Sequence, residues 1–92
     1  MPKRHYNIKV KGKVQGVSFR FSTHFQALKL GLTGLVKNMP DGSVFIEAEG
    51  KEEAINRLIE WCYVGPPRSK VMEVDAVESE VKGYRTFELK RL

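Results

Sequence analysis

The run Gly12-Lys13-Val14-Gln15-Gly16-Val17-Ser18-Phe19-Arg20 is where backbone and side-chain chemistry could converge. It joins a strand-like segment to a helical one. Consecutive backbone N–H groups in such a turn can form an anion-binding nest, and the helix N-terminus behind it adds a favourable dipole. Gly16 would let the backbone approach a ligand closely. Arg20 stands at the exit, where a planar guanidinium fork can grip a phosphate. The chemistry suggested is phosphate binding in a backbone cradle with one arginine clamp. An ordinary strand-to-helix loop with a surface arginine is the plain alternative, because many loops contain two glycines and a base.

Other reactive residue types have simpler readings. His5 and His24 are candidate general bases, but His24 lies in the helical stretch rather than in the loop. The Ser18 hydroxyl has no evident His–Asp partnership to make it a nucleophile. Cys62 is the single cysteine, so neither a disulfide nor a cysteine metal cluster can be built. It falls on the apolar side of a helical segment and reads as a small buried hydrophobe. Trp61 reads as a partly buried packing residue. Glu52 and Glu53 sit where a helix begins, which the helix dipole favours.

Several elements must position the loop. Tyr6, Ile8 and Val10 alternate with Asn7, Lys9 and Lys11, the period of a half-buried strand. Gly12–Ser18 is then the loop, and a helix is expected to begin near Phe21 or Ser22. Phe21, Phe25 and Leu28 fall at helical spacing, and Gly31 is a natural stop after Leu30. Thr33–Asn38 and Ser43–Glu49 flank Met39-Pro40-Asp41-Gly42, a turn in which Pro presets φ, Asp bonds its own backbone and Gly accepts positive φ. This predicts a β-hairpin. After Gly50 a second helix carries Ala54, Ile55, Leu58, Ile59 and Cys62 on one face, and Gly65-Pro66-Pro67 ends it. Lys70–Val77 is strand-like, Lys82-Gly83-Tyr84 a turn, and Thr86–Leu92 a closing strand. The order βαββαβ, with a short terminal strand, predicts an α+β sandwich of ferredoxin-like type. Its antiparallel sheet of four to five strands would carry two helices on one face. That fold hosts unrelated functions, so function has to come from a site.

With 92 residues, no repeat and no linker, residues 1–92 are expected to form one domain. No apolar run is long enough to span a membrane. None follows the basic start Met1–Tyr6 as a signal peptide would require. A cytoplasmic location is therefore expected. The net charge of +5 is unevenly spread: residues 1–40 hold eight Lys and Arg and no acid, and all 11 acids lie in 41–92. A one-signed half suggests an anionic ligand near the N-terminal elements. A solvated basic surface is the bland alternative.

Gly12–Arg20 resembles the phosphate-loop signature of the acylphosphatase family, Gly-x-Val-Gln-Gly-Val-x-Phe-Arg. Gly34-Leu35-Val36-Lys37-Asn38 followed by Asp41-Gly42-Ser43-Val44 is similar to the family's second signature, which carries its asparagine. Leu30-Gly31-Leu32, Glu49-Gly50 and Gly65-Pro66-Pro67 extend the resemblance over nearly the whole chain. It implies an enzyme that hydrolyses the carboxyl–phosphate anhydride of acyl phosphates. Arg20, with the amides of Gln15, Gly16, Val17, Ser18 and Phe19, would hold the phosphate, and Asn38 would bind and orient the attacking water. Neither metal nor other cofactor is implied, and a monomer is expected. Leu35 stands where family members often have Trp, which predicts altered packing beneath Asn38.

A nucleic-acid-binding module of the same element order is the main rival. It would need an Arg/Lys-Gly-aromatic-Gly/Ala-aromatic run on its third strand for base stacking. Ser43–Glu49 has one aromatic and two acids, so no nucleic-acid partner is expected. The expected partners are a small acyl phosphate and inorganic phosphate, with no membrane. A regulatory or maturation domain descended from acylphosphatase is the third reading, but the pairing of Arg20 with Asn38 favours a working enzyme.

Overall fold

Alternating side chains make the first strand two-faced, and the rest of the sheet copies that division. A computed structural model describes residues 2–91. The elements are β1 (Arg4–Lys13), α1 (Phe19–Lys29), β2 (Thr33–Asn38), β3 (Val44–Gly50), α2 (Glu52–Val64), β4 (Lys70–Ser79) and β5 (Phe87–Leu89). The strands lie in the order β4-β1-β3-β2-β5. Ile8 pairs with Ile46, which pairs with Val36, and Val10 pairs with Val44. These side chains are fully buried. They form the sheet's half of a core whose other half comes from the helices: Phe19 and Ala27 of α1, and Ile55, Leu58 and Cys62 of α2. α1 packs over β2 and β5, and α2 over β4 and β1. The α+β sandwich expected from the sequence is the fold observed.

The sheet is mixed rather than wholly antiparallel. Four strands are antiparallel, but β5 runs parallel to β2, with Gly34 opposite Phe87 and Val36 opposite Leu89. The chain leaves β4 at one edge, crosses the end of the sheet through residues 80–86 and re-enters at the other edge. The returning strand runs opposite to β4, and that direction is parallel to β2.

Three local expectations change. β1 extends through Gly12 and Lys13, which shortens the loop. The register with β4 shifts between Lys11 and Gly12, a bulge that bends the strand end. A β-carbon at Gly12 would lie 2.1 Å from the Lys70 carbonyl oxygen, so only glycine fits there. α1 starts at Phe19, before the expected Phe21 or Ser22, which puts Arg20 in its first turn. The face of α1 also differs. Phe19, Thr23 and Ala27 are buried, whereas Phe21, Phe25 and Leu28 are 62%, 61% and 56% exposed. Both triplets have helical spacing, and the small Thr23 and Ala27 allow α1 to lie close to the sheet. The Thr23 hydroxyl donates to the Phe19 carbonyl at 2.8 Å, which satisfies its burial.

The opposite face of the sheet holds a buried polar network at the end where β1 begins. His5 and Glu49 are adjacent across β1 and β3 and are both almost wholly buried. His5 Nδ1 lies 2.8 Å from Glu49 Oε2. The Glu49 carboxylate also accepts the backbone N–H groups of Lys82, Gly83 and Tyr84. Glu47 accepts from Lys82 Nζ at 2.8 Å and the Tyr84 hydroxyl at 2.9 Å. Two strand glutamates therefore bind Lys82-Gly83-Tyr84, an irregular segment rather than the expected turn, onto the sheet.

Candidate active site

The loop between β1 and α1 is fixed from both sides. The Val17 side chain is buried in the core, and Phe19 packs its ring on Trp61 with centroids 5.3 Å apart. Their side chains anchor the loop. Between them, Ser18 has φ 65° and is the non-glycine residue with positive φ among those described. Gly16 has φ 74°, and a β-carbon there would meet nothing within 4 Å. Gly16 is thus needed for its backbone angle rather than for space. Positive φ at residues 16 and 18 is the turn backbone from which anion nests are built. Ser22 N is the first α1 amide to find a carbonyl, Ser18 O at 3.0 Å. The preceding first-turn amides have no intrahelical acceptor.

Gln15 contributes its side chain to the scaffold. Its Nε2 donates to the carbonyls of Met39 and Ser43, each at 2.8 Å. The loop between β1 and α1 is thereby tied to the turn that follows Asn38. That turn is closed by Met39 N to Ser43 O at 2.8 Å and Gly42 N to Met39 O at 3.1 Å. Asp41 Oδ1 accepts from Ser43 N and from the Ser43 hydroxyl. Lys9 Nζ lies 2.9 Å from Asp41 Oδ2. The Ser43 hydroxyl, and then Lys9, hold the Asp41 carboxyl far below the usual carboxylate range. The predicted hairpin is present, and the Asp41–backbone bond expected of it is made.

Arg20 is braced by the end of the described chain. Its Nη1 donates to the Lys90 carbonyl at 2.7 Å, and Lys90 N in turn donates to Val36 O on β2 at 2.9 Å. Among the described residues Arg20 has no carboxylate partner, whereas Arg4, Lys9, Lys82 and Lys90 each pair with an acid.

An open concavity of ≈ 300 Å³ joins these parts. Val14, Gly16, Ser18, Phe19, Arg20, Phe21 and Asn38 line it. Arg20 and Asn38, 18 positions apart in sequence, share one site. Two of its polar atoms, Arg20 Nε and Asn38 Oδ1, are buried without a hydrogen-bond partner among the described residues. A buried polar atom left unpaired costs about 1–3 kcal/mol, so a donor and an acceptor stand without partners at this one site. Together with the loop amides they can bind a tetrahedral anion and orient a water beside it.

Of the sequence-predicted residues, Gly16, Ser18, Phe19, Arg20 and Asn38 line the concavity, and Gln15 and Val17 support its walls. Val14 and Phe21 were not singled out as site residues. Nor was the Lys90 carbonyl, for which the local sequence carries no signal. Leu35 does not lie beneath Asn38: alternation along β2 puts it on the opposite face of the sheet, where it pairs with Glu47 and Glu88. The histidines are structural. His24 Nε2 donates to the Phe87 carbonyl at 3.1 Å, and His5 lies in the network at the far end of β1. Burial pushes the Cys62 thiol up to about 12, which removes it as a nucleophile. Among the described residues no group of three or more His, Cys, Asp or Glu could hold a metal ion.

Comparison with known proteins identifies the family. The acylphosphatase family model matches residues 6–89. An acylphosphatase of Trichormus variabilis is 47% identical over 83 residues, 90% of this chain and 82% of that protein. Superposition on the structure of an acylphosphatase from Coxiella burnetii gives a TM-score of 0.93 at 40% identity, covering 96% of this chain and 93% of that one. The Bacillus subtilis acylphosphatase gives 0.92 at 41% identity, covering 95% and 98%. The chain belongs to the acylphosphatase family.

Proposed function

We propose that this acylphosphatase holds the phosphate of its substrate on Arg20 and the backbone amides of residues 15–20, and that Asn38 delivers the water. The observation that carries this reading is the pairing of two buried, unpartnered atoms, Arg20 Nε and Asn38 Oδ1, in one concavity. The guanidinium and the loop N–H groups neutralise phosphate oxygens. Asn38 Oδ1 accepts a hydrogen bond from water and points a lone pair of the water oxygen at phosphorus. The new P–O bond forms to water as the bond from phosphorus to the acyl oxygen breaks, and the pair in that bond leaves with the carboxylate. An amide is not a base, so a phosphate oxygen takes the water proton. An acyl phosphate dianion and water thus yield a carboxylate and dihydrogen phosphate. The leaving group is good, and positioning with charge stabilisation supplies most of the catalysis. Metal would not be required.

Among the described residues no helix is long and apolar enough to cross a membrane. A cytoplasmic monomer acting on a small acyl phosphate, with no nucleic-acid partner, is the reading consistent with this site. The test is release of inorganic phosphate from acetyl phosphate by purified protein in EDTA. Steady turnover is expected. An inert protein, or one that turns over only with added magnesium, would contradict the proposal.

A further inference from the structure

α1 carries a second apolar face that the core does not use. Phe21, Phe25 and Leu28 lie along it and are more than half exposed. Core packing has no need of aromatic rings in water on a helix flanking the site. The stripe begins at the site itself, since Phe21 lines the concavity that holds Arg20 and Asn38. Phe21 also walls a second depression of ≈ 380 Å³, continued by Phe25, Trp61, Pro66 and Pro67. No charged residue lines this second depression, although 29% of the chain is charged. Lys29 Nζ stands 5.6 Å from the Phe25 ring centroid without lining the depression, and an apolar group would find ring faces and proline edges.

We propose that this depression is the acyl subsite and that it favours aromatic acyl phosphates over small ones, with Phe21 joining it to the phosphate site and Phe25 as its outer wall. The proposal rests on the phosphate and water positions proposed above. A single aromatic ring could meet Phe21 and Trp61 in offset or edge-to-face contact.

The test compares kcat/KM for benzoyl phosphate and acetyl phosphate in the unmodified protein and in Phe25→Ala. Phe25 is 61% exposed, so its truncation spares the core; unchanged melting temperature checks this. The benzoyl-to-acetyl ratio is expected to fall about tenfold, the scale of one lost apolar contact, mainly through KM for benzoyl phosphate. Benzoate is expected to quench the single tryptophan, Trp61, with the quenching weakened in Phe25→Ala. An unmodified protein that turns over both substrates, with a ratio unmoved in both Phe25→Ala and Phe21→Ala, would overturn the subsite and leave the phosphate site standing. A ratio unmoved while Phe25→Ala converts a dimer to a monomer in sedimentation would assign the stripe to a second copy of the chain instead. Turnover of neither substrate would overturn the phosphate-site reading, and the subsite with it.

Discussion

Gln15 Nε2 donates to the Met39 carbonyl at 2.8 Å, and so the loop that leads into Arg20 is joined directly to the turn that follows Asn38. The second Nε2 hydrogen goes to the Ser43 carbonyl at the same distance. One side-chain amide thus sets the spacing between the two halves of the site. Gln15→Ala is expected to lower stability by about 1–2 kcal/mol, two hydrogen bonds at their usual net worth. Gln15→Glu is expected to be worse, since it sets carboxylate oxygens against two carbonyls. In both, kcat should fall at least tenfold because the spacing is lost. Urea unfolding with steady-state kinetics checks this; full kcat in a destabilised Gln15→Ala protein would make the tie purely structural.

Arg20 has to serve two partners at once. Nη1 is committed to the Lys90 carbonyl, while Nε is buried without a hydrogen-bond partner among the described residues. A lysine cannot divide itself in this way, because its donors lie on one atom. Arg20→Lys should therefore weaken competitive inhibition by inorganic phosphate nearly as far as Arg20→Ala, by about a hundredfold for a lost charge-assisted pair of roughly 3 kcal/mol. Inhibition constants measured at fixed ionic strength decide this, and Arg20→Lys with ordinary phosphate affinity would contradict the fork.

The His5–Glu49 network makes stability depend on acid. Burial pushes the Glu49 carboxyl up, but the N–H groups of Lys82 and Tyr84 and the His5 ring outweigh it and hold it below its ordinary value of 4.5. At Glu47 burial also acts upward and is outweighed, there by Lys82 and Tyr84. Carboxyls depressed in the folded state contribute stability that is complete above their unfolded value and is lost as pH falls through the folded one. Unfolding free energy should thus hold from pH 7 to about pH 5 and decline below it. Glu49→Gln should cost about 2–3 kcal/mol at neutral pH, with three backbone donors left poorly served, and should flatten the decline. Denaturant titrations at several pH values test this, and an unaltered slope in Glu49→Gln would place the acid sensitivity elsewhere.

How far the sequence speaks depends on the range of the interaction. The loop at Gln15–Arg20 and the turn at Pro40-Asp41-Gly42 are local, and their glycines and proline announce them. β2 is observed at Thr33–Asn38, the span its pattern predicts. The buried face of α1 was less legible: Phe21, Phe25 and Leu28 have the stronger hydrophobic signal, yet Thr23 and Ala27 make the contact because they are small. Glu47 and Glu49 alternate with Ile46 and Ala48 and so read as a solvent face. They are buried because residues 82–84, over 30 positions away, fold back on them. The parallel pairing of β5 and the Lys90 contact to Arg20 also span long sequence separations, and no local pattern encodes them.

The central claim is that Arg20 holds phosphate while Asn38 holds water, and Asn38→Ala tests it most directly. Water makes none of the substrate's binding contacts, so losing its holder should remove rate and spare affinity. The variant is expected to lose a hundredfold to a thousandfold in kcat, roughly 3–4 kcal/mol, the usual cost of one preorganised positioning group. KM and the inhibition constant for inorganic phosphate should stay within about twofold, uniform binding being untouched, and the melting temperature should barely move. A folded Asn38→Ala protein that kept near-full turnover, or that lost phosphate binding along with turnover, would contradict the account.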